Sequence, residues 1–267
     1  MHSYQAVFCD IDGTLLTSDH RITADTKEKI RQLHHSGIPF ILVSARIPAA
    51  IYPIQDELGI RAPMISYGGA LVLDENRQPV LDLGLSQSLL PALQKALPPE
   101  SPECCFCTYS YDTWIAADKC HPLVRQEAEI TGVPAAGGSV FELLAPDAPI
   151  HKLLGFGPCS LLDDTAVRLK KQFPQCAVYK SAPHLLEIMD GRASKSGAIH
   201  SLCEKLGISP QDTVSFGDNY NDMDMLRATG HSVAMGNAPA EVKASAREIT
   251  ADNDHEGLLQ ALNRLFS

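Results

Sequence analysis

The stretch Ala6-Val7-Phe8-Cys9-Asp10-Ile11-Asp12-Gly13-Thr14-Leu15-Leu16 narrows the choice of fold more than any other in the chain. Residues 6–8 predict a short buried strand, which runs straight into two carboxylates one residue apart. Gly13 and Thr14 then turn the chain before Leu15 and Leu16 return to apolar surroundings. In an α/β protein, ligands bind outside the carboxyl ends of the strands, so both acids are expected at a crevice. Two Asp residues so close repel each other unless a cation or a shared proton reconciles them. A hard divalent ion such as Mg²⁺ does this through oxygen ligands, keeping some waters and taking substrate phosphate at the remaining positions.

Strand and helix signals then alternate. Residues 27–35 predict a helix stopped by Gly37, residues 38–43 a buried strand interrupted only by Pro39, and residues 49–58 a helix closing at Gly59. Two strand-helix units in succession imply a parallel sheet with right-handed crossovers. Ser44 stands at the end of the second strand, with Ala45 leading toward a helix. A hydroxyl followed by backbone N–H groups can hold an anion there, although a helix N-cap would use Ser44 equally well. Residues 63–73 predict another strand ending in the pair Gly68-Gly69, and residues 74–79 a hairpin turn.

From about residue 83 the texture changes. Helical signals at 86–97, a proline-rich break at 98–102 and two short strands around Tyr111-Asp112 come first. A helix at 121–130, a loop at 132–138, a strand at 150–156, a helix at 161–173 and one or more strands at 177–189 follow. Mixed elements set between core units imply a separate α+β layer, entered near residue 83 and left near Asp190. The expected division is therefore a core of residues 1–82 and 190–267 with residues 83–189 inserted. The fold class is α/β, Rossmann-like, with a mostly parallel sheet flanked by helices.

The core resumes with Lys195 at a helix start, where the macrodipole prefers anions. Such a Lys is explained by a phosphate or carboxylate partner; the alternative is a solvated surface lysine. Thr213-Val214-Ser215-Phe216-Gly217-Asp218-Asn219-Tyr220-Asn221-Asp222 then reads as an apolar strand ending in Gly-Asp, with a helix from about Asn221 carrying Asp222. Four acids converging on one sheet edge need a cation, because repulsion otherwise leaves some of them protonated.

These motifs resemble those of the haloacid dehalogenase superfamily, whose phosphatases carry D-x-D-G-T and G-D-x-x-N-D. The insertion, the run Met235-Gly236-Asn237-Ala238-Pro239 and the ending Asp254-His255-Glu256-Gly257 are similar to its Cof-like sugar-phosphate phosphatases. The resemblance covers the whole chain. It implies a Mg²⁺-dependent hydrolase acting through an aspartyl phosphate, with Asp10 as nucleophile and Asp12 as general acid/base. It further implies Asp10, Asp12 (through its backbone carbonyl), Asp218 and Asp222 at the metal. Ser44, Lys195, Asn221 and the backbone at Ile11 and Ala45 would hold phosphate. The inserted domain would be a cap that selects the substrate, with Asp112, Trp114 and His184 as candidate contacts. Two positions depart from the pattern: Ala45 replaces a usual Gly and Gly68 a usual Asn. Should the backbone at 45 need positive φ, Ala would be strained there. A phosphomutase would share every core motif, a dehalogenase would not need Asp12, and a non-catalytic phosphometabolite-binding protein would not need this full set.

Bulk properties agree with a small phosphate ester as partner. The net charge of -10 and the lack of a Lys/Arg-rich run argue against nucleic acid and anionic membrane. No apolar window is long enough to span a bilayer, and Met1-His2-Ser3-Tyr4-Gln5 lacks a signal-peptide layout, so a cytoplasmic protein is expected, and a large cap that shields the site unaided would let it act as a monomer. Of the eight cysteines, Cys9, Cys159, Cys176 and Cys203 sit in apolar contexts, as small hydrophobes. Cys104, Cys105, Cys107 and Cys120 are tighter, but strand alternation puts Cys104 and Cys107 on opposite faces and disfavours zinc.

Overall fold

The structure, a computed structural model, describes residues 4–267; Met1, His2 and Ser3 of the expected N-terminal layout lie outside the described residues. The chain divides into a first unit, Met1–Ala45, Ile51–Leu81 and Ser194–Ser267, and a second, Arg46–Ala50 and Asp82–Ala193. In chain order the strands are β1 (Ala6–Asp10), β2 (Phe40–Val43), β3 (Met64–Ser66), β4 (Leu71–Leu73), β5 (Pro79–Asp82), β6 (Cys105–Ser110) and β7 (Thr113–Ala116). They continue as β8 (Ala136–Gly137), β9 (Lys152–Phe156), β10 (Cys176–Ala182), β11 (Leu185–Asp190), β12 (Thr213–Gly217), β13 (His231–Ala234) and β14 (Glu248–Ile249).

The first unit holds one sheet in the order β14-β13-β12-β1-β2-β3-β4-β5. Every pair from β14 to β3 is parallel. The strands β1, β2 and β12 are buried along their whole length, as continuous apolar strands covered on both faces should be. Phe8, Ile41, Val43 and Ile65 pack with Ala198, Ile199 and Leu202 of the Lys195–Leu206 helix, which ties that helix to the sheet centre. Thr23 caps the Ala24–His35 helix by accepting the Thr26 N–H, and Gly59, at φ +69°, ends the Pro48–Leu58 helix.

The segment at residues 63–73 differs from expectation. Residues 63–73 are two strands: β4 turns back antiparallel on β3. Tyr67, Gly68 and Gly69 have φ of 49°, 58° and 105°, and that left-handed run reverses the chain where apolar content alone suggests continuation.

The second unit has its own sheet, β10-β11-β9-β6-β7-β8, antiparallel except where β8 joins β7. The short strand β8 lies in the expected 132–138 loop, held by pairing of Ile115 and Ala116 with Ala136 and Gly137. Leu153, Leu186 and Ile188 from the sheet pack with Leu162 and Leu169 of the Cys159–Gln172 helix. Trp114 is 1% exposed, stacks on Tyr109 and donates its indole N–H to the Val133 carbonyl at 3.0 Å, so its role is internal packing. Cys104, Cys105 and Cys107 are buried and Cys120 is exposed. Cys159, expected among apolar neighbours, is exposed at the start of its helix. None of the cysteines belongs to a three-ligand metal grouping among the described residues, and no helix among them is long and apolar enough to cross a membrane.

Candidate active site

Strand register brings the motifs to one edge. Cys9 pairs with Phe216 and Asp10 with Val43, so the next residues on the flanking strands, Gly217-Asp218 and Ser44, emerge beside Asp10. Asp10 is 7% exposed and Ser44 3%, whereas Asp12, beyond the strand end, is exposed. Ser44 is fixed through its backbone: its N–H donates to the Ile65 carbonyl at 2.9 Å and its carbonyl accepts the Gly68 N–H at 2.9 Å. Ala45 is not among the described residues with positive φ, so the turn after Ser44 accommodates a side chain without strain. At Gly68 an added Cβ would meet nothing within 4 Å, but the φ of +58° would strain any side chain placed there.

Lys195 is the electrostatic centre. It is the first residue of its helix, 2% exposed, and its ammonium donates to Asp10 Oδ1 at 2.6 Å and to Asp222 Oδ1. The misplacement against the helix dipole is thus answered by two buried carboxylates rather than by solvent. Asp222 is fully buried, and its other oxygen accepts the backbone N–H groups of Asp218 and Asn219, both at 3.0 Å. It belongs to a single turn, Tyr220–Asp222, before the Met223–Ala228 helix. Asn221, in that turn, is exposed and makes no side-chain hydrogen bond within the described chain. Ligand atoms of Asp10, Asp218 and Asp222 all lie within 4.8 Å of one another; the Asp12 side chain is not part of that trio.

Burial and the Asp222 charge push Asp10 well above the carboxylate range, against the pull of Lys195. Asp218 is pushed up to about 6, mainly by burial and also by Asp222. Burial opposes the Lys195 ammonium, but Asp10 and Asp222 more than offset it and hold it above its ordinary range. Three carboxylates against one ammonium leave negative charge without a partner, and every donor is a hard oxygen. This is a set that fits Mg²⁺.

Three further residues shape the site, although the sequence assigns them no role in it. Thr14 donates its hydroxyl to Asp218 Oδ1 at 2.9 Å. Asn237 donates to Asp218 Oδ2 at 3.2 Å and to the Gly13 carbonyl at 2.9 Å, so one amide joins the loop after β1 to the acid after β12. Its own oxygen accepts the Asn253 N–H at 3.2 Å, and Asn253 donates to the Leu16 carbonyl at 2.9 Å, which closes the ring of support. Gly69 permits the third contact: a Cβ there would lie 2.1 Å from the Ser194 carbonyl oxygen, immediately before Lys195. Thr14 stands inside the first motif and Asn237 inside the run at 235–239, but neither motif names the contact with Asp218, and Gly69 shows in sequence only as a small residue in a turn.

Asn237→Ala is expected to weaken Mg²⁺ binding by about tenfold or more, the usual consequence of removing a hydrogen bond that orients a metal ligand. Because Asn237 is exposed, thermal unfolding without metal should barely move. Calorimetric titration of both proteins with Mg²⁺ reads this directly; equal affinities would show that Asp218 does not depend on the amide.

Comparison with known proteins places this arrangement. The model of the haloacid dehalogenase-like hydrolase family matches residues 7–262. A protein of Haemophilus influenzae is 34% identical over 98% of both chains. Phosphatase YwpJ of Bacillus subtilis is 28% identical over 96% of this chain and 98% of its own. A haloacid dehalogenase-like hydrolase from Bacteroides thetaiotaomicron superposes with a TM-score of 0.91 at 26% identity, covering 99% of this chain and all of that one. A structure described as a subclass IIB sugar phosphatase shares the fold, with a TM-score of 0.75 at 24% identity over 97% of this chain and 98% of its own.

Proposed function

The chain belongs to the haloacid dehalogenase-like hydrolases and is a phosphatase, and from that premise we propose that it hydrolyses small phosphorylated metabolites, chiefly sugar phosphates, through a phosphoryl group carried on Asp10. The observation that carries this reading is the buried bridge from Lys195 to Asp10 and Asp222, with Asp218 within ligand distance of both acids. A sugar ester is favoured because a solved structure of this fold is described as a sugar phosphatase.

In the proposed reaction one Asp10 carboxylate oxygen attacks phosphorus as the bond to the leaving alcohol breaks. Asp12, exposed just past the strand end, gives the departing oxygen its proton. The same residue, now a base, takes a proton from the water that attacks the aspartyl phosphate, releasing inorganic phosphate and restoring Asp10. Lys195 and Ser44, with Asn221 and the backbone N–H groups at Ile11 and Ala45, hold the phosphoryl oxygens. Asp222, fixed by Lys195 and two backbone N–H groups, keeps Lys195 directed at Asp10. Mg²⁺, held by Asp10, Asp218 and the Asp12 carbonyl with Asp222 in support, would supply charge neutralisation at the phosphoryl oxygens. In this reading the second unit is the cap that recognises the alcohol.

The test is phosphate release from a panel of sugar phosphates and nucleotides, with and without Mg²⁺. Metal-dependent turnover strongest on sugar phosphates is the expected result. Isomerisation of a sugar phosphate that requires a bisphosphate, with no net phosphate release, would reassign the protein as a mutase.

The site's charge also sets a pH dependence. Without metal, Asp218 binds a proton more tightly when folded than when unfolded, so its contribution to stability falls as pH rises from about 4 to about 6. A cation must displace that proton, so Mg²⁺ affinity should fall as pH drops below about 6. Saturating Mg²⁺ is therefore expected to raise the unfolding temperature clearly at pH of about 7.5 and little at about 5. Equal gains at the two pH values would contradict the assignment of Asp218 as a ligand.

A further inference from the structure

The second unit contains a cavity of about 810 Å³, within the size range of small-molecule sites. Leu90, Phe106, Ile115 and Leu153 supply its apolar walls. The Phe106 wall depends on Gly155, where a Cβ would lie 2.4 Å from the aromatic ring, so the strand beside β6 is kept bare for that ring to lie across it. Its lining includes no Lys, Arg or His, and its one charged residue is Glu100, an exposed carboxylate whose oxygen accepts the Phe106 N–H at 3.4 Å. A phosphate ester would meet repulsion here and no cation, so this cavity and the acid cluster after β1 and β12 select opposite chemistries.

Within the apolar wall stands Thr108. It is 6% exposed, yet its hydroxyl makes no hydrogen bond within the described chain. The hydroxyl is not sealed in the core but opens into the cavity, where a Val at this strand position would offer only a methyl group. Ser139, also in the lining, is the N-cap residue of the Val140–Leu143 turn but does not cap it with its side chain. The cavity thus pairs an apolar volume with hydroxyl groups that the fold itself does not use.

We propose that this cavity is a second binding site, separate from the phosphate chemistry, for a small uncharged amphiphile. The apolar body of such a molecule fills the space between Leu90, Phe106, Ile115 and Leu153. Its single hydroxyl or carbonyl pairs with Thr108, and Glu100 at the margin turns away anionic analogues.

The experiment uses the full chain and two probes of equal shape, the neutral phenylbutanol and the anionic phenylbutyrate, followed by protein NMR. Phenylbutanol should shift the Thr108 and Ile115 signals saturably in the low millimolar range, and phenylbutyrate should bind about tenfold more weakly. Thr108→Val should weaken phenylbutanol by about three- to tenfold while phosphate release stays unchanged. Ala117→Trp, at an exposed position of the lining, should fill the cavity and abolish binding without disturbing the core. Shifts that do not saturate, equal binding of the two probes, or full binding to Ala117→Trp would overturn the proposal.

Discussion

Asp10→Asn is expected to abolish phosphate release, by at least about 10⁴-fold, while leaving the fold intact or slightly more stable. The amide keeps the shape of the carboxylate and an oxygen to accept the Lys195 bond, but it cannot carry a phosphoryl group. The stability side follows from the surroundings. Burial and the neighbouring Asp222 disfavour a charge at position 10, so a neutral isostere relieves repulsion that the wild-type protein tolerates. Single-turnover phosphate release and thermal unfolding of the metal-free proteins check both halves together. A variant retaining more than about a hundredth of wild-type turnover would mean that Asp10 is not the nucleophile.

Lys195→Met is expected to do the opposite to stability while also removing activity. It leaves Asp10 and Asp222 facing each other in the interior without their ammonium, and breaking a buried pair in this way costs about 3–5 kcal/mol. The deficit should depend on pH. Asp10 is already held above its ordinary range, and without Lys195 it moves further up, so the folded variant takes up a proton more readily than the unfolded chain. The difference in unfolding free energy between wild type and variant should therefore be largest near pH of about 8 and shrink toward about 5. Urea titrations at the two pH values measure it. A deficit below about 1 kcal/mol at the higher pH would show that the lysine bridge contributes no more than a surface pair.

Much of this site is legible in sequence because its chemistry demands particular residue types at strand ends. An apolar run followed by Asp-x-Asp, and another followed by Gly-Asp, specify buried strands with carboxylates at their ends, with little dependence on the rest of the chain. Lys195 is legible for a different reason: a cation at a helix start contradicts the dipole and asks for a partner, although only the fold names Asp10 and Asp222. Asn237, although it lies in a recognisable run, and Gly69 leave no such mark of their roles. Asn237 acts through an amide that could serve any turn, and Gly69 acts through the side chain it lacks, visible only once Ser194 is placed against it. The reversal at Tyr67–Gly69 hides for a related reason, since an apolar segment that folds back on itself has the same composition as one that runs on.

The pairing of β1 with β12 has a consequence for how the molecule is made. Ala6 to Cys9 align with Thr213 to Phe216, so the two strands leading to Asp10 and Asp218 meet only across most of the length of the chain. Asp82–Ala193, by contrast, is one unbroken run whose sheet is closed by local hairpins. A ribosome releases that run completely before β12 emerges, and contacts of low sequence separation form fastest. The strand bearing Asp10 therefore waits, with one flank unpaired, until synthesis is almost finished. The acid cluster is completed late, and a nascent chain stalled before residue 213 holds Asp10 and Lys195 without Asp218 and Asp222, the two acids the fold sets beside them.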